Sequence, residues 1–217
     1  MKAVLFDLDG TLLNTLGDLA DAANWALVQL GFPTHPEDAY RFFVGNGVRE
    51  LCRRMLPSPH QTPETAAKAL ALFDTRYQSH MFDRTAPYPG IPELLEDLAA
   101  HAIPMGIISN KPDPFVRSIA ERFFPGRFQS VSGPLENRLK PDPSGVLRVL
   151  KELSVPPEQA LYAGDSGVDM ETACRGGLHG CGVLWGFRGE QELRANGAEF
   201  LAAAPADLGR IALAQEG

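Results

Sequence analysis

Ala3-Val4-Leu5-Phe6-Asp7-Leu8-Asp9-Gly10-Thr11 is the N-terminal stretch from which the organisation of the whole chain is predicted. Its first four residues form an unbroken apolar run, which is typical of a strand buried on both faces of a parallel sheet. Asp7 and Asp9 follow at the carboxyl end of that strand, where open α/β sheets bind their ligands. Side chains alternate along a strand, so these carboxylates would project to one side and repel each other unless a cation lay between them. The stretch indicates a site for a hard divalent cation; a solvated strand end with a glycine turn is the alternative.

The composition is that of a folded, acidic protein. Hydrophobic residues make up 44% and charged residues 22% of the 217 residues, which argues against disorder. The formal charge of −7 argues against nucleic-acid and anionic-membrane surfaces. The apolar runs are too short for a membrane-spanning helix, and carboxylates follow the N-terminal run too closely for a signal peptide. The three cysteines lack metal-ligand spacing, so we expect reduced thiols in a cytoplasmic protein.

Helix and strand patterns divide the chain into two parts. From about residue 15 to residue 83, one apolar helical stripe follows another without a strand candidate, and Thr15 and Asp18 have capping-box spacing at the first helix. Later in the chain, apolar strands alternate with helices; the strands are predicted at 104–108, 128–131, 160–163, 182–185 and 200–202. This alternation predicts an α/β fold, a doubly wound parallel sheet with right-handed crossovers. Residues 1–14 and 84–217 would form this Rossmann-like core domain, and residues 15–83 an inserted small α-helical cap domain.

Polar side chains also follow the later strands and one loop. Ser109 and Asn110 follow the second apolar strand, Lys140 precedes Pro141, and Asp165 and Asp169 follow the strand at 160–163. Asp7, Asp9 and Asp165 are candidate ligands of one Mg²⁺, which usually takes one or two protein carboxylates besides water and phosphate oxygens. Asp169 is a candidate for holding metal-bound water. Ser109, Asn110 and Lys140 offer a hydroxyl, an amide and an ammonium group to a phosphate. Taken singly, each has an ordinary alternative: a helix cap, a solvated lysine or a loop acid.

In this order, the motifs resemble those of the haloacid dehalogenase superfamily in its phosphatase branch. The four segments that carry the resemblance are Asp7-Leu8-Asp9-Gly10-Thr11, Ser109-Asn110, Lys140-Pro141 and Gly164-Asp165-Ser166-Gly167-Val168-Asp169. The helical insert is similar to the small α-helical cap of that superfamily. Three further segments look most like those of phosphoglycolate phosphatases: Ser109-Asn110-Lys111, Gly45-Asn46-Gly47 and Trp185-Gly186-Phe187-Arg188. Asn14 departs from the pattern, because close relatives often carry Asp there.

The resemblance implies Mg²⁺-dependent hydrolysis of a small-molecule phosphate monoester. Asp7 would attack phosphorus and form an aspartyl phosphate, and Asp9 would protonate the leaving alcohol and then activate water. In this family the residue at the Asp9 position usually touches the metal through its backbone carbonyl. Four residues would bind the phosphate, namely Gly10, Ser109, Asn110 and Lys140. Ser166 and Asp169 would lie behind the metal ligands and orient them.

The cap and the substrate are less determined by the motifs. The candidates for reading the leaving group are Gly45, Asn46, Gly47 and Arg49. Arg49 would bind a substrate carboxylate, with Arg53 and Arg54 as alternatives, although a surface arginine is an equally ordinary interpretation.

Phosphoglycolate is the first substrate that we expect. The alternatives are a pyrophosphatase or a sugar phosphomutase of the β-phosphoglucomutase type on the same fold and, more distantly, a catalytically silent binding protein. We expect a monomer or homodimer that binds a small phosphate ester, with no nucleic acid and no membrane as partner.

Overall fold

A computed structural model describes residues 1–135 and 138–214. The chain divides into two compact units, the first formed by Met1–Leu13 and Pro87–Gly217 and the second by Asn14–Ala86. The division lies within three residues of the predicted domain boundaries at 14/15 and 83/84. That the second unit acts as a cap stays a prediction.

The first unit is built on a parallel sheet. In chain order, the strands of the described residues are β1 (Ala3–Phe6), β2 (Leu13–Asn14), β3 (Ala86–Pro87), β4 (Met105–Ile108), β5 (Ser130–Ser132), β6 (Ala160–Gly164), β7 (His179–Val183) and β8 (Phe200–Ala202). Six of them form one sheet in the order β5-β4-β1-β6-β7-β8, and all its pairs are parallel. The chain adds strands first on one side of β1 and then on the other. The predicted doubly wound α/β fold is therefore confirmed.

Helices fill the connections between these strands. The α-helices of the described residues are α1 (Leu16–Gln29), α2 (Tyr40–Phe43), α3 (Val48–Arg54), α4 (Pro63–His80), α5 (Ile91–Ala100), α6 (Asp113–Phe123), α7 (Ser144–Leu153), α8 (Gly167–Gly176), α9 (Glu190–Ala195) and α10 (Pro205–Leu213). Short 3₁₀ helices span Glu37–Ala39, Ser58–His60 and Pro157–Gln159. None of the described helices is both long and apolar enough to cross a membrane.

The central strands of the sheet are buried along their whole length. Every residue of β1, β4 and β6 is buried, as the unbroken apolar runs predict. Leu5 and Tyr162 belong to a core cluster that also contains Val149 of α7 and Ala173 of α8. Burying one large apolar side chain of this kind contributes about 1.5–3 kcal/mol, so the strand ends project from a rigid platform.

The second unit is helical. Within it, α4 packs against both α1 and α3, and the rings of Phe73 and Tyr77 on α4 stack with their centroids 5.3 Å apart. The Thr62 hydroxyl caps the start of α4, because it accepts a hydrogen bond of 3.2 Å from the Thr65 N–H. Capping of this kind contributes about 1 kcal/mol to helix stability.

Asp18 has a different role from the one that its spacing predicts. Thr15 makes no side-chain cap hydrogen bond to α1, so the predicted capping box is wrong. The buried Asp18 carboxylate instead accepts hydrogen bonds of 2.7–3.1 Å from the Arg84 and Thr85 N–H groups and from the Thr85 hydroxyl. Four hydrogen bonds from three donors satisfy the charge of this carboxylate away from water. They hold the beginning and the end of the second unit together.

Candidate active site

The carboxyl ends of β1, β4 and β6 lie at one edge of the sheet. Phe6 is level with Ile107 of β4 on one side and with Ala163 of β6 on the other. The Asp7 N–H continues the ladder with a hydrogen bond of 2.9 Å to the Ala163 carbonyl. This register brings Asp7, Ser109 and Asp165 to the point where the strand order of the sheet reverses, which is where ligands bind in this class of fold.

Lys140 is a buried cation at this edge. Its Nζ lies 2.8 Å from Asp7 Oδ1, 2.7 Å from Asp169 Oδ1 and 3.1 Å from the Tyr162 hydroxyl. Burial alone would lower the pKa of Lys140, but the charges of Asp169 and Asp7 prevail and raise it well above its usual value. The ammonium group therefore stays charged beside Asp7 at neutral pH. Tyr162 was not predicted to belong to the site; its hydroxyl group in an otherwise apolar strand was the available signal.

Asn110 holds the loop that delivers Lys140. Its Oδ1 accepts a hydrogen bond of 2.7 Å from the Lys140 N–H, and its Nδ2 donates one of 3.2 Å to the Lys140 carbonyl. This pair of bonds fixes the backbone of a residue 30 positions away. Since both ends of the amide are engaged with Lys140, the side chain of Asn110 positions the cation. Its predicted contact with phosphate stays a prediction.

Three buried carboxylates lie together beside Lys140. Oxygen atoms of Asp7, Asp165 and Asp169 lie within 4.8 Å of one another. Burial raises the pKa of Asp7 to about 7, against the opposing charge of Lys140 and with a further contribution from Asp169. Burial and the charges of Asp169 and Asp7 also raise the pKa of Asp165. One ammonium group does not balance three carboxylates, and oxygen ligands at this spacing fit a hard divalent cation.

Asp169 is held by hydrogen bonds on both of its oxygens. Oδ1 faces Lys140 and accepts a hydrogen bond of 3.1 Å from the Tyr162 hydroxyl. Oδ2 accepts hydrogen bonds from the Ser166 N–H at 3.1 Å and the Ser166 hydroxyl at 2.6 Å, which cap α8. Asp169 therefore anchors Lys140, which leaves Asp7 and Asp165 as the carboxylates suited to a metal. The predicted support of metal ligands by Ser166 and Asp169 stays a prediction.

The side chain of Asp9 points to a different cation. Lys111 Nζ lies 2.8 Å from Asp9 Oδ1 and 2.9 Å from Asp9 Oδ2. The Asp9 carboxylate is not a member of the cluster formed by Asp7, Asp165 and Asp169. A contact between the backbone carbonyl of Asp9 and a metal stays a prediction. The sequence predicts no separate role for Lys111, which belongs to the segment Ser109-Asn110-Lys111. Its charge directly after Ser109 and Asn110 was the signal for a place in the site.

The loop after β7 makes hydrogen bonds to the segments that contain Thr11 and Asp165. The Trp185 Nε1–H donates a hydrogen bond of 2.9 Å to the Thr11 carbonyl, and the Phe187 N–H donates one of 2.7 Å to Asp165 Oδ2. Between them, Gly186 has no room for a side chain, because a Cβ would overlap Asp165 and the Gly10 carbonyl. This loop therefore sets the position of Asp165.

Gly10 meets the same constraint from the other side. Its φ of +85° favours glycine, and a Cβ there would overlap the Asp165 carboxylate and the Phe187 ring. The Gly10 N–H donates a hydrogen bond of 2.9 Å to the Leu13 carbonyl. A contact between Gly10 and phosphate stays a prediction.

The candidate cap residues lie in the second unit: Gly45, Asn46, Gly47 and Arg49. Arg49 is exposed on α3, whereas Arg53 and Arg54 both pair with Glu50 at 2.7 Å. Hydrogen bonds from these two arginines lower the pKa of Glu50 to about 2, so it stays charged and keeps them occupied. Of the three arginines, Arg49 is thus the one without that partner, and its role towards a substrate stays a prediction.

Comparisons with known proteins identify the family of this chain. A family model described as haloacid dehalogenase-like hydrolase matches residues 4–183. A phosphoglycolate phosphatase of Pseudomonas putida is 36% identical over 193 residues, covering 86% of this chain and 70% of that protein. One of Vibrio parahaemolyticus is 31% identical over 209 residues, covering 93% and 92%. The chain belongs to the haloacid dehalogenase-like hydrolase family.

Solved structures show the same fold along nearly the whole chain. A candidate phosphoglycolate phosphatase from Lactobacillus delbrueckii subsp. bulgaricus superposes with a TM-score of 0.93 at 29% identity, covering 99% of each chain. CbbY of Rhodobacter sphaeroides, in complex with xylulose-1,5-bisphosphate, superposes with a TM-score of 0.80 at 26% identity, covering 96% of each chain. Within its family, the chain is an enzyme of the phosphoric monoester hydrolase class.

Gly186→Ala is expected to lower kcat/KM for a phosphate monoester such as p-nitrophenyl phosphate by about 10- to 100-fold. The added methyl group would push Asp165 and the Gly10 carbonyl out of place, and a misplacement of about 1 Å at a site costs on the order of a hundredfold. Steady-state kinetics check this. Gly189→Ala, a change in the same loop with open space around the new Cβ, is the control and should keep wild-type kinetics.

Proposed function

We propose that this chain is a Mg²⁺-dependent phosphatase that works through an aspartyl phosphate, with phosphoglycolate as its first candidate substrate. One observation carries the proposal: Asp7, Lys140 and Asp165 converge at the reversal point of the sheet, with Lys140 Nζ directly on Asp7 Oδ1. The names of the relatives at 31–37% identity support the choice of phosphoglycolate.

Two residues of the N-terminal stretch would carry the covalent chemistry. A carboxylate oxygen of Asp7 attacks phosphorus, and the bond from phosphorus to the leaving alcohol breaks as the new bond forms. Asp9 gives a proton to the leaving oxygen. Water then attacks the phosphorus of the aspartyl phosphate, Asp9 takes a proton from that water, and inorganic phosphate and free Asp7 are released.

Other residues would hold the phosphoryl group during these steps. Lys140, kept in place by Asp169 and Asn110, offers its charge to the phosphoryl oxygens that lie against Asp7. Ser109 presents a buried hydroxyl at the same edge of the sheet. Because the fold has fixed these groups before substrate arrives, little reorganisation is needed when charge develops.

Asp7 and Asp165 are the side chains that would hold Mg²⁺, together with the backbone carbonyl of Asp9. When bound, Mg²⁺ supplies the positive charge that offsets repulsion between Asp7 and an incoming phosphate. Two unit charges about 4 Å apart repel by roughly 4 kcal/mol at an effective dielectric constant near 20. Lys140 alone cannot offset this repulsion, because Asp7 and Asp169 already share its charge.

The experiment that tests the proposal is a phosphate-release panel with and without Mg²⁺. We expect phosphoglycolate to give the highest kcat/KM, turnover to vanish in EDTA, and excess Mg²⁺ to restore it. Faster turnover of pyrophosphate, or of a hexose monophosphate with a bisphosphate primer, would assign a pyrophosphatase or a phosphomutase instead. Undiminished turnover in EDTA would contradict the metal assignment.

The same metal assignment has a readout that needs no turnover. Mg²⁺ should raise the melting temperature of the wild-type protein, because a ligand that binds the folded state stabilises it. Asp165→Asn should weaken that shift. Asp97→Asn, which changes an exposed carboxylate on α5, is the matched control and should respond to Mg²⁺ like the wild type.

A further inference from the structure

Lys111 is a buried cation that the steps above do not use. Its side chain is 5% exposed, and that of its partner Asp9 is 13% exposed. Its backbone N–H donates a hydrogen bond of 3.2 Å to the Ser109 hydroxyl. This hydrogen bond fixes the backbone of Lys111 relative to Ser109, and from that position the Lys111 side chain extends to Asp9.

The two buried lysines serve opposite ends of the reaction. Lys140 lies on Asp7, which would attack phosphorus, whereas Lys111 lies on Asp9, which would give a proton to the leaving oxygen. A general acid must come within about 2.6–3.2 Å of the oxygen that it protonates. An ammonium group 2.8–2.9 Å from both Asp9 oxygens must then lie beside the leaving group.

The chemistry of an ammonium group at that point selects a kind of leaving group. In an ester of a 2-hydroxy acid, the carboxylate is separated from the ester oxygen by a single carbon atom. Such a carboxylate would come within reach of Lys111 while Asp9 contacts the ester oxygen. A charge-assisted hydrogen bond is about twice as strong as one between neutral groups. A neutral alkyl leaving group would add no negative charge near Lys111 beyond that of Asp9.

We propose that Lys111 determines specificity: it binds the carboxylate of the leaving group and positions Asp9. This inference rests on the proposed function and names the substrate class as phosphate esters of 2-hydroxy acids. It places recognition of the carboxylate in the first unit of the chain, on a residue fixed beside the acid–base group. No contribution from Arg49 is needed.

Binding of unreactive analogues tests the proposal without turnover. 3-Phosphonopropionate replaces the ester oxygen of phosphoglycolate by a methylene group, and propylphosphonate has the same length without the carboxylate. With Mg²⁺ present, calorimetry should show the wild type binding the first compound at least about tenfold more tightly, equivalent to one charge-assisted hydrogen bond. Lys111→Met should bring the ratio close to one. Lys151→Met, which changes an exposed lysine on α7, should keep the wild-type ratio.

Steady-state kinetics separate recognition from positioning. For Lys111→Met, KM should rise about tenfold for phosphoglycolate but not for ethyl phosphate, whereas a loss of Asp9 positioning should lower kcat for both substrates. Lys111→Arg keeps the charge and should recover part of the preference for carboxylate. Melting temperatures of the variants identify any that fail to fold, and the arginine variant then carries the test.

Some results would overturn the inference. A Lys111→Met protein that keeps the wild-type preference for 3-phosphonopropionate would do so, as would a wild type with no preference. If the wild type turns over phosphoglycolate efficiently in either case, the proposed function stands and only the role of Lys111 fails. If the wild type prefers the carboxylate analogue through Lys111 but does not turn over phosphoglycolate, the proposed substrate fails and the role of Lys111 stands.

Discussion

Asp7→Asn is expected to lower kcat by about 10⁴-fold or more, because an amide cannot act as the nucleophile that forms the aspartyl phosphate. The size of asparagine is nearly that of aspartate, so binding of a phosphate ester should survive. Single-turnover kinetics with enzyme in excess would measure the loss. Phosphate release at the wild-type rate would mean that the activity belongs to a contaminating phosphatase, and it would favour a catalytically silent binding protein.

The same substitution is expected to stabilise the metal-free protein at alkaline pH. Burial raises the pKa of Asp7 to about 7, so between about pH 4 and 7 the folded protein keeps a proton that the unfolded chain has released. Stability must then fall as the pH rises through this window. In EDTA, Asp7→Asn should raise the free energy of unfolding by about 1–4 kcal/mol at pH 8 and by little at pH 5.

Urea unfolding at the two pH values checks this, and Asp97→Asn is again the control. An equal gain at both pH values would mean that the benefit does not come from removing a buried charge. If Asp7→Asn instead lowers the stability at pH 8, the ion pair with Lys140 must stabilise the charged Asp7 carboxylate by more than burial destabilises it. The raised pKa of Asp7 indicates the opposite.

Lys140→Met is expected to lower both stability and activity. It removes the ammonium group shared by Asp7 and Asp169 and leaves both buried carboxylates without it. Breaking a buried ion pair in this way costs about 3–5 kcal/mol. Activity should fall by at least about 10³-fold, since the cation nearest the phosphoryl oxygens is lost. Urea unfolding in EDTA and steady-state kinetics with Mg²⁺ measure the two effects.

Two further variants keep this prediction testable. Lys151→Met makes the same chemical change at an exposed position and should match the wild type in both measurements. Lys140→Arg keeps the charge, so it should retain more stability than the methionine variant while remaining slow. A Lys140→Met protein as stable and active as the wild type would remove Lys140 from the site.

The sequence predicts most of the fold because its strongest patterns are local. The strand predicted at 200–202 coincides with β8, and the strand predicted at 104–108 overlaps β4. The strand predicted at 182–185 lies about three residues too late, since β7 is His179–Val183. Its sequence, His-Gly-Cys-Gly-Val, gives little continuous apolar signal, whereas the apolar residues Leu184 and Trp185 that drew the prediction lie in the loop beyond it. The short helices α9 and α10 were not predicted.

For the site, the sequence identifies which residues meet but not which side chains pair. Strand order brings Asp7, Ser109 and Asp165 to one edge, and this follows from the alternation of strands and helices. Pairing depends on contacts between distant positions: Lys111 lies 102 residues from Asp9. No pattern in the sequence separates a lysine that binds Asp9 from one that binds solvent.

The hydrogen bonds of Asp18 bear on the modularity of this chain. They secure Arg84 and Thr85 next to the first helix of the second unit, and β2 and β3 pair where the chain leaves the first unit and returns to it. Because the two ends of the inserted segment lie side by side, an insert whose own ends are close together can be joined there at little cost in loop-closure entropy. Residues 14 to 86 thus form an insertion that a shorter or longer segment could replace without changing the strand order of the sheet.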